Sequence, residues 1–198
     1  MRRAAGTVLC LRPLSNQLLV VKISEKKYTE KVCLLNNVLI RPLRELDAPG
    51  IHTVALEAWR HTYRTIFDER FIEDFVNRHY APEATLSLFP RIRSGSMFFD
   101  VAEYESRVIG FCNIGINNQS AELYRIYLLP AFIGQGIGQR FLERGEAFVA
   151  EHGIGSYFCF VHKNNEIGKR FYVRSGFKHI SENDKDDEWF MEKRLYTN

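Results

Sequence analysis

The chain has 198 residues, of which 45% are apolar, so it can bury one hydrophobic core but is short for two full domains. Its formal net charge is +3, yet the first 38 residues alone carry seven Lys or Arg and two Glu, which leaves residues 39–198 slightly acidic. This distribution argues against a nucleic-acid-binding protein, which would carry a basic stripe on its folded body, and no stretch approaches the roughly 18 apolar residues of a membrane span.

The cysteines predict neither a disulfide framework nor a zinc site. No Cys-x-x-Cys pair and no histidine at metal-ligand spacing accompanies the four separated residues Cys10, Cys33, Cys112 and Cys159. We therefore expect reduced thiols, no bound metal and a cytoplasmic location. The start of the chain imitates a signal peptide, but Arg12 and Pro13 break its apolar run.

Residues 1–38 are expected to form an N-terminal extension separate from the main domain. Short strands over Val8–Leu11 and Leu18–Ile23 could pair as a hairpin. A disordered tail, a translation start that lies upstream of the true one, and a small functional module are the other interpretations of this basic segment.

From residue 39 the pattern predicts a single domain, residues 39–198. Leu39–Leu43 is a short apolar strand. Asp47, followed by Ala48 and Pro49, marks a helix start with an N-cap acceptor and a proline in the first turn. A second helix is expected over Glu69–Arg78, with its apolar residues on a single side: Phe71, Ile72, Phe75 and Val76.

Three strands are expected next. Met97–Tyr104 and Arg107–Ile116 are joined by the dipeptide Glu105-Ser106, which predicts a tight hairpin, and Ala121–Leu129 ends at Pro130. The glycine-rich segment 134–140 follows and leads directly into an amphipathic helix.

The alternating glycines Gly134, Gly136 and Gly138 predict a loop that binds a pyrophosphate. Glycines let the backbone curl so that successive N–H groups point to one place, and the helix start adds free N–H donors and the positive end of its dipole. A Rossmann fingerprint would need glycine where Gln139 stands, and a P-loop would need Gly-Lys-Ser/Thr, so neither nucleotide motif fits.

The last third of the chain alternates strands and a helix. Ser156–Val161 predicts a strand, Asn165 caps a helix that Gly176 ends, and Phe177–Ile180 with Trp189–Leu195 forms a closing hairpin.

Two motifs together resemble those of the GNAT family of N-acetyltransferases. The glycine loop is similar to the family's acetyl-CoA loop, Arg/Gln-x-x-Gly-x-Gly/Ala, although Ile133 stands at the Arg/Gln position. Residues 165–177 resemble the family's second motif, Asn-x-x-Ala-x-x-Phe-Tyr-x-x-x-Gly-Phe, with Gly168 in place of Ala. Since most phosphate contacts come from the main chain, we expect Ile133 to weaken coenzyme binding rather than abolish it.

The resemblance covers about residues 39–195 and implies an α+β fold. Its parts are a mixed central sheet, parallel strands that splay at the coenzyme site beside a bulge in the 121–129 strand, and helices on both faces. Within the family, segments 122–128 and 189–194 are most similar to the polyamine acetyltransferases of the PaiA type.

The implied reaction is transfer of an acetyl group from acetyl-CoA to an amine. An alkyl amine is mostly protonated at pH 7, so a carboxylate has to remove the surplus proton, and Glu122 is the candidate base. The leaving thiolate needs a proton, which the family's motif tyrosine, Tyr172, would supply. The alternatives are that Tyr172 is a core aromatic and Glu122 a solvated residue at a strand end.

Coenzyme contacts are expected from three parts of the chain. The main chain of the third strand would pair with pantetheine like an added strand edge. Asn165 would hydrogen-bond its amides, although helix capping alone would also explain this residue. The full set of implied coenzyme residues is Ile126, Tyr127, Leu128, Gly134, Gln135, Gly136, Ile137, Gly138, Gln139 and Asn165.

The acceptor is expected to be a small cationic amine. Five acids in segment 182–188 and four in segment 68–74 would give the acceptor channel an acidic mouth suited to a polyamine such as spermidine or spermine. Trp59, Arg60, Thr62 and Tyr63 are expected to face that channel. Protein N-terminal acetylation and non-catalytic acyl-CoA binding are the alternatives, and a monomer or homodimer is expected.

Overall fold

The computed structural model describes the backbone of residues 7–14 and 17–24, and residues 37–195 in full. The chain divides into two compact units, residues 1–38 and 39–198. In the first, β1 (Thr7–Leu14) pairs antiparallel with β2 (Gln17–Ser24), and Leu14 stands opposite Gln17. Apart from residues 37 and 38, the remaining part of the expected N-terminal extension lies outside the described residues.

A seven-stranded mixed sheet forms the centre of the second unit, with strand order β3-β4-β5-β6-β7-β9-β8. Its strands are β3 (Leu39–Pro42), β4 (Met97–Tyr104), β5 (Arg107–Asn117), β6 (Ser120–Leu128), β7 (Ser156–His162), β8 (Lys178–His179) and β9 (Glu188–Arg194). The predicted turn between β4 and β5 is present, and its residues Glu105 and Ser106 have φ of 48° and 61°, the left-handed values that a type I′ turn requires.

Six α-helices accompany the sheet over residues 37–195. They are α1 (Ala48–Tyr63), α2 (Glu69–His79), α3 (Pro82–Leu86), α4 (Phe89–Arg93), α5 (Ile137–Glu151) and α6 (Glu166–Arg174). The short helices α3 and α4 were not predicted, although each carries a proline in its first turn, which is a helix-start signal.

Helices cover both faces of the sheet, as the resemblance implied. Phe99, Val101 and Phe111 belong to the core that α1 and α2 close on one face. On the other face α5 approaches β5 so closely that a Cβ added at Gly145 would stand 2.5 Å from Cδ1 of Ile114. The helices on the two faces of the sheet therefore pack against the same central strands, β4 and β5.

The predicted N-cap role of Asp47 is wrong. Asp47 does precede α1, but its carboxylate makes no capping bond to that helix. Instead it accepts hydrogen bonds from both terminal nitrogens of Arg41, at 2.7 and 2.8 Å, and from the Arg44 N–H. The buried guanidinium is the stronger donor, because charge-assisted bidentate pairs exceed neutral hydrogen bonds in strength.

The parallel strands β6 and β7 form a ladder pair at a single position. Glu122 pairs with Phe158, and beyond that pair the two strands diverge. A bulge in β6 falls beside it, since Asn113 and Ile114 of β5 pair with Arg125 and Leu123 and leave Tyr124 as the extra residue. The predicted splay of the parallel strands is therefore confirmed, and the glycine loop follows β6 at its open end.

Candidate active site

The glycine loop contains two residues in the left-handed conformation. Gly134 has φ of 75° and Gly136 has φ of 86°, values that favour glycine. A Cβ added at either position would meet no atom within 4 Å, so the space beside the loop is open. The amide of Gln135 donates to the Ala131 carbonyl at 2.8 Å and fixes the loop from within.

Gly138 serves another purpose than the expected backbone curl. It lies in the first turn of α5, and a Cβ there would stand 3.0 Å from the ring of Phe171 on α6. Glycine at this position lets α5 and α6 pack closely. The side chain of Ile137 is fully buried and anchors the start of α5. Ile137, Gly138 and Gln139 form the first turn of this helix, whose main-chain N–H groups have no acceptor within the helix and can bind a phosphate.

The edge of β6 that faces β7 carries main-chain groups outside the ladder with β5. Leu129 donates to the Ile109 carbonyl at 2.8 Å, and successive residues of a strand direct their N–H groups to opposite edges. The N–H groups of Ile126 and Leu128 therefore point towards the gap between β6 and β7. Tyr127 stands opposite Phe111 and directs its main chain to β5 instead.

Glu122 lies where β6 and β7 meet, on the face that carries α1 and α2. Burial raises the pKa of its carboxyl group, Lys185 partly offsets that rise, and the negative charge of Glu188 adds to it. Lys185 itself lies over the ring of Phe160 at 4.1 Å. A half-buried carboxylate with a raised pKa is a better proton acceptor than an exposed one.

Tyr172 approaches the contact between β6 and β7 from the opposite face of the sheet. Its side chain is buried, and its ring packs edge-on against Phe171 and Phe177. The hydroxyl is hydrogen-bonded to the thiol of Cys159, the residue that follows Phe158. Burial, with a smaller contribution from Cys159, raises the pKa of Tyr172 well above its usual value, so the phenol stays protonated at neutral pH.

Asn165 caps α6 as predicted. Its Oδ1 accepts a hydrogen bond from the Gly168 N–H at 2.8 Å, which satisfies one of the free donors of the helix start. Its Nδ2 donates to the hydroxyl of Tyr63 at 3.1 Å. The predicted coenzyme motif is thus in direct contact with the end of α1.

An aromatic cleft of about 650 Å³ opens on the α1 and α2 side of this point. Most of its lining residues, such as Phe75, Tyr80 and Phe160, had no predicted role in the site. Among the residues that line it are Trp59, Tyr63, Phe75, Tyr80, Tyr127 and Phe160. The hydroxyl of Tyr127 accepts from Trp59 Nε1 at 3.2 Å and lies 3.1 Å from the hydroxyl of Tyr80, so three of these walls are linked.

The sequence contained a signal for this cleft along α2. Phe67, Phe71, Phe75 and His79 recur every four residues, and consecutive ring centroids lie 4.4 to 6.1 Å apart. Ile72 and Val76 point into the core instead. The predicted single apolar side of this helix is therefore two stripes, one for the core and one for the cleft.

Six of the nine acids of the expected acidic mouth cap a helix or pair with a basic side chain. Asp68 caps α2, and five others pair with basic side chains: Glu69 and Glu73 with Arg60, Asp74 with Arg70, Asp184 with His179, and Asp187 with Lys163. Arg60 therefore points to α2, which corrects the expectation that it faces the channel. Glu188 lines the cleft directly, and Arg91 and Arg125 line it as well.

Two further findings concern the described residues only. Within residues 37–195 no group of three or more His, Cys, Asp or Glu side chains is arranged to hold a metal ion. In the same part of the chain no helix has the length and apolar character needed to cross a bilayer.

Comparisons with known proteins agree with this geometry. The family model described as Acetyltransferase (GNAT) family matches residues 56–177. The spermidine N(1)-acetyltransferase of Thermoplasma acidophilum is 33% identical over 159 residues, which are 80% of this chain and 98% of that protein. An uncharacterized N-acetyltransferase of Bacillus subtilis, YuaI, is 28% identical over 133 residues, 65% of this chain and 73% of its own length.

Solved structures show the same fold. The PaiA N-acetyltransferase from Thermoplasma acidophilum, crystallised with coenzyme A, superposes with a TM-score of 0.75 at 32% identity and covers 79% of this chain and 98% of its own. A GNAT-family acetyltransferase from Staphylococcus aureus gives a TM-score of 0.64 at 16% identity, over 80% of this chain and 99% of its own. By the family match and the similarity over nearly the whole length of a characterised relative, this chain belongs to the GNAT family of acetyltransferases.

Proposed function

We propose that this protein transfers the acetyl group of acetyl-CoA to a primary amine of a small cationic acceptor, with a polyamine such as spermidine or spermine as the leading candidate. The observation that carries the proposal is the divergence of β6 and β7 from the single Glu122–Phe158 pair, with the glycine loop at the open end. The relatives named as a spermidine acetyltransferase and as PaiA with coenzyme A support it.

The residues around the open end of the two strands fit the coenzyme. The main-chain N–H groups at the start of α5 would hold its pyrophosphate, with Gly134 and Gly136 leaving room for the approach. The free edge of β6 at Ile126 and Leu128 would pair with pantetheine. When bound there, acetyl-CoA supplies an activated thioester at the point where Glu122 and Tyr172 approach each other from opposite faces.

Glu122 would accept the surplus proton of the acceptor ammonium, directly or through water. A primary alkyl amine with a pKa near 10.4 is neutral in about one molecule per thousand at pH 7, so a nearby base raises the reactive fraction. The half-buried carboxylate, with its raised pKa, is suited to that transfer.

Tyr172 would return a proton to the coenzyme sulfur as the thioester bond breaks. Its hydroxyl contacts Cys159, one residue beyond the strand contact, and its raised pKa keeps it protonated. A hydroxyl that already donates to or accepts from a thiol can exchange that partner for a coenzyme thiolate.

The acceptor would enter through the aromatic cleft. Alkylammonium groups are attracted to the faces of Trp and Tyr rings. The guanidinium of Arg125 already lies over the ring of Tyr80 at 4.5 Å, and Arg91 lies 5.8 Å from the ring of Tyr124. An ammonium would therefore be repelled from that end, so we place the reacting amine towards Glu188 and Glu122.

The buried free thiols of Cys112 and Cys159 fit a reducing cytoplasm.

A thiol-release assay across amines tests the proposal. We expect turnover with spermidine or spermine, and less with an aminoglycoside or a peptide with a free N-terminus. Fastest turnover with the peptide would favour protein N-terminal acetylation. Tight binding of coenzyme A without turnover of any amine would favour a non-catalytic binder and contradict the proposed reaction.

A further inference from the structure

The side chain of Asn165 connects the coenzyme motif to the acceptor cleft. Its Oδ1 accepts from the Gly168 N–H at 2.8 Å, and its Nδ2 donates to the hydroxyl of Tyr63, a residue 102 positions earlier, at 3.1 Å. The cap fixes one side of the amide and Tyr63 fixes the other. Of the two hydrogens on Nδ2, one is used by Tyr63, and the second has a fixed direction as a consequence.

Gly168 makes room for this arrangement. A Cβ added at Gly168 would stand 2.8 Å from Nδ2 of Asn165, 3.1 Å from its Cγ and 3.0 Å from Cγ2 of Val161. Contacts that short force one of the neighbours to move, and the Asn165 amide is the freer of the two, because Val161 is held in a central strand. The glycine that replaces the alanine of the family motif therefore permits the amide to lie between α6 and Tyr63.

Tyr63 is itself held firmly. Its side chain is 9% exposed, its ring lies 4.5 Å from that of Trp59, and the edge of His162 approaches it at 6.3 Å. Burial raises the pKa of Tyr63 to about 12, and the Asn165 hydrogen bond lowers it to a smaller extent. The phenol therefore stays neutral at physiological pH and accepts the amide hydrogen without competing ionisation.

We infer that Tyr63 is a positioning residue for the coenzyme, acting through Asn165 from the wall of the acceptor cleft. The inference rests on the proposed acetyl transfer and adds a residue to it. Without the Tyr63 hydroxyl the amide keeps its cap but loses the bond that sets its second donor, so pantetheine would meet a less ordered partner. Ordering this N–H group on binding would then cost free energy and weaken the affinity for the coenzyme.

The test compares Tyr63→Phe, Gly168→Ala and the double variant, with Gly155→Ala as control. A Cβ added at Gly155 would meet no atom within 4 Å, so Gly155→Ala introduces the same methyl group at a position where no neighbour has to move. Calorimetry with coenzyme A alone excludes effects on the acceptor. We expect each single variant to raise Kd by about fivefold to tenfold, the loss typical of one hydrogen bond. The double variant should be no weaker than the worse single variant, because both disturb one amide.

Kinetics supply a second readout. We expect KM for acetyl-CoA to rise with Kd in Tyr63→Phe and Gly168→Ala, while kcat at saturating acetyl-CoA changes less than twofold. An unchanged Kd in Tyr63→Phe would overturn the inference. A double variant whose loss of affinity equals the product of the two single losses would overturn it as well. In both cases turnover by the wild type would leave the proposed function intact. A wild-type protein that neither binds coenzyme A nor acetylates an amine would instead contradict the proposed function.

Discussion

At the scale of single residues, Glu122 and Tyr172 are the pair on which the proposed chemistry depends. Glu122 belongs to β6 and Tyr172 to α6, and their side chains approach the contact of β6 with β7 from opposite faces of the sheet. Glu122 affects the pKa of Cys159, which Tyr172 contacts, so the two residues are within electrostatic range of a common neighbour. Each role predicts its own kinetic signature.

Replacing Tyr172 by Phe should lower kcat about 100-fold, the size typical of a lost general acid. KM for acetyl-CoA should remain close to that of the wild type, because the ring keeps its contacts with Phe171 and Phe177. Steady-state kinetics at saturating acetyl-CoA checks this, with thermal unfolding as control. Wild-type kcat in the variant would assign Tyr172 to the core alone.

Glu122 should be visible in the pH dependence of kcat/KM. Because Glu122 would take the proton of the ammonium, the ionised enzyme and the protonated amine together already hold the protons of the reactive complex, and log kcat/KM should be flat between the pKa of Glu122 and that of the amine. Below the pKa of Glu122, which burial raises above the usual glutamate value, the base is already protonated and log kcat/KM should fall with slope one. The wild type should therefore lose activity more steeply as the pH falls through that pKa.

In Glu122→Gln only the neutral amine can react, so log kcat/KM should rise with slope one up to the pKa of the amine and lie about 100-fold lower at neutral pH. A second bend that persists in the variant would show that another group is the base. His162 is a poor substitute, because its Nδ1 accepts from the Asn164 N–H at 3.2 Å, which places the proton of the neutral ring on Nε2.

At the scale of elements, the glycine loop and the start of α5 are the unit that we propose to bind the pyrophosphate of the coenzyme. Gly134 and Gly136 set its backbone, whereas Gly138 allows α6 to approach. Ile133 precedes this unit with a side chain that is 40% exposed, at the position where the family motif has Arg or Gln.

Substituting Ile133 by Arg should therefore strengthen coenzyme binding several-fold, because a guanidinium beside the loop adds a charge-assisted contact to the pyrophosphate. The gain should shrink at high salt, as expected of an exposed charge. Calorimetry at low and high ionic strength checks both statements. Leu46→Arg is the matched control, since Leu46 is 93% exposed just before α1 and lies 87 positions earlier in the chain. An equal gain in both variants would point to net charge rather than to a local contact.

At the scale of the whole molecule, a buried ion cluster joins β3 to β4 and to the entrance of α1. Arg41 binds Asp47 through both terminal nitrogens and Glu103 at 2.6 Å. Burial alone would raise the pKa of Asp47, but the hydrogen bonds from Arg41 and the Arg44 N–H outweigh it, and the net pKa is lowered. A lowered pKa means that Asp47 stabilises the fold above its unfolded pKa and that this contribution is lost as the pH falls through its folded pKa.

Arg41→Met should reduce the free energy of unfolding at pH 7 by about 3 kcal/mol, because it leaves the Asp47 carboxylate buried without its partner. In the variant burial raises the pKa of Asp47 above its usual value near 3.9, so the difference from the wild type should begin to shrink above about pH 4 and shrink further as the pH falls through the lowered pKa of the wild type. Urea unfolding at several pH values measures this. Arg70→Met, which removes an exposed pair with Asp74, should change stability by less than about 0.5 kcal/mol. A pH-independent difference would contradict the assigned role of Asp47.

The sequence by itself determined the order of the strands and of the longer helices in the main domain, and the position of the glycine loop between β6 and α5. Gly136 before α5, Asn165 before α6 and the turn at Glu105-Ser106 depend on local backbone preferences and capping bonds, which neighbouring residues decide without the rest of the fold. The two motifs lie at fixed separations, so the family and its coenzyme could also be inferred from the chain alone.

Only the tertiary structure decided which side chains meet. The bond between Asn165 and Tyr63 joins residues 102 positions apart, and Asp47 binds Arg41 instead of capping α1. One stripe of α2 lines the cleft, and a second stripe packs into the core. Sequence periodicity alone cannot tell which stripe meets which neighbour. The physical reason is that a side chain with several partners of similar strength takes the one that packing brings within reach, and that choice depends on the positions of all elements at once.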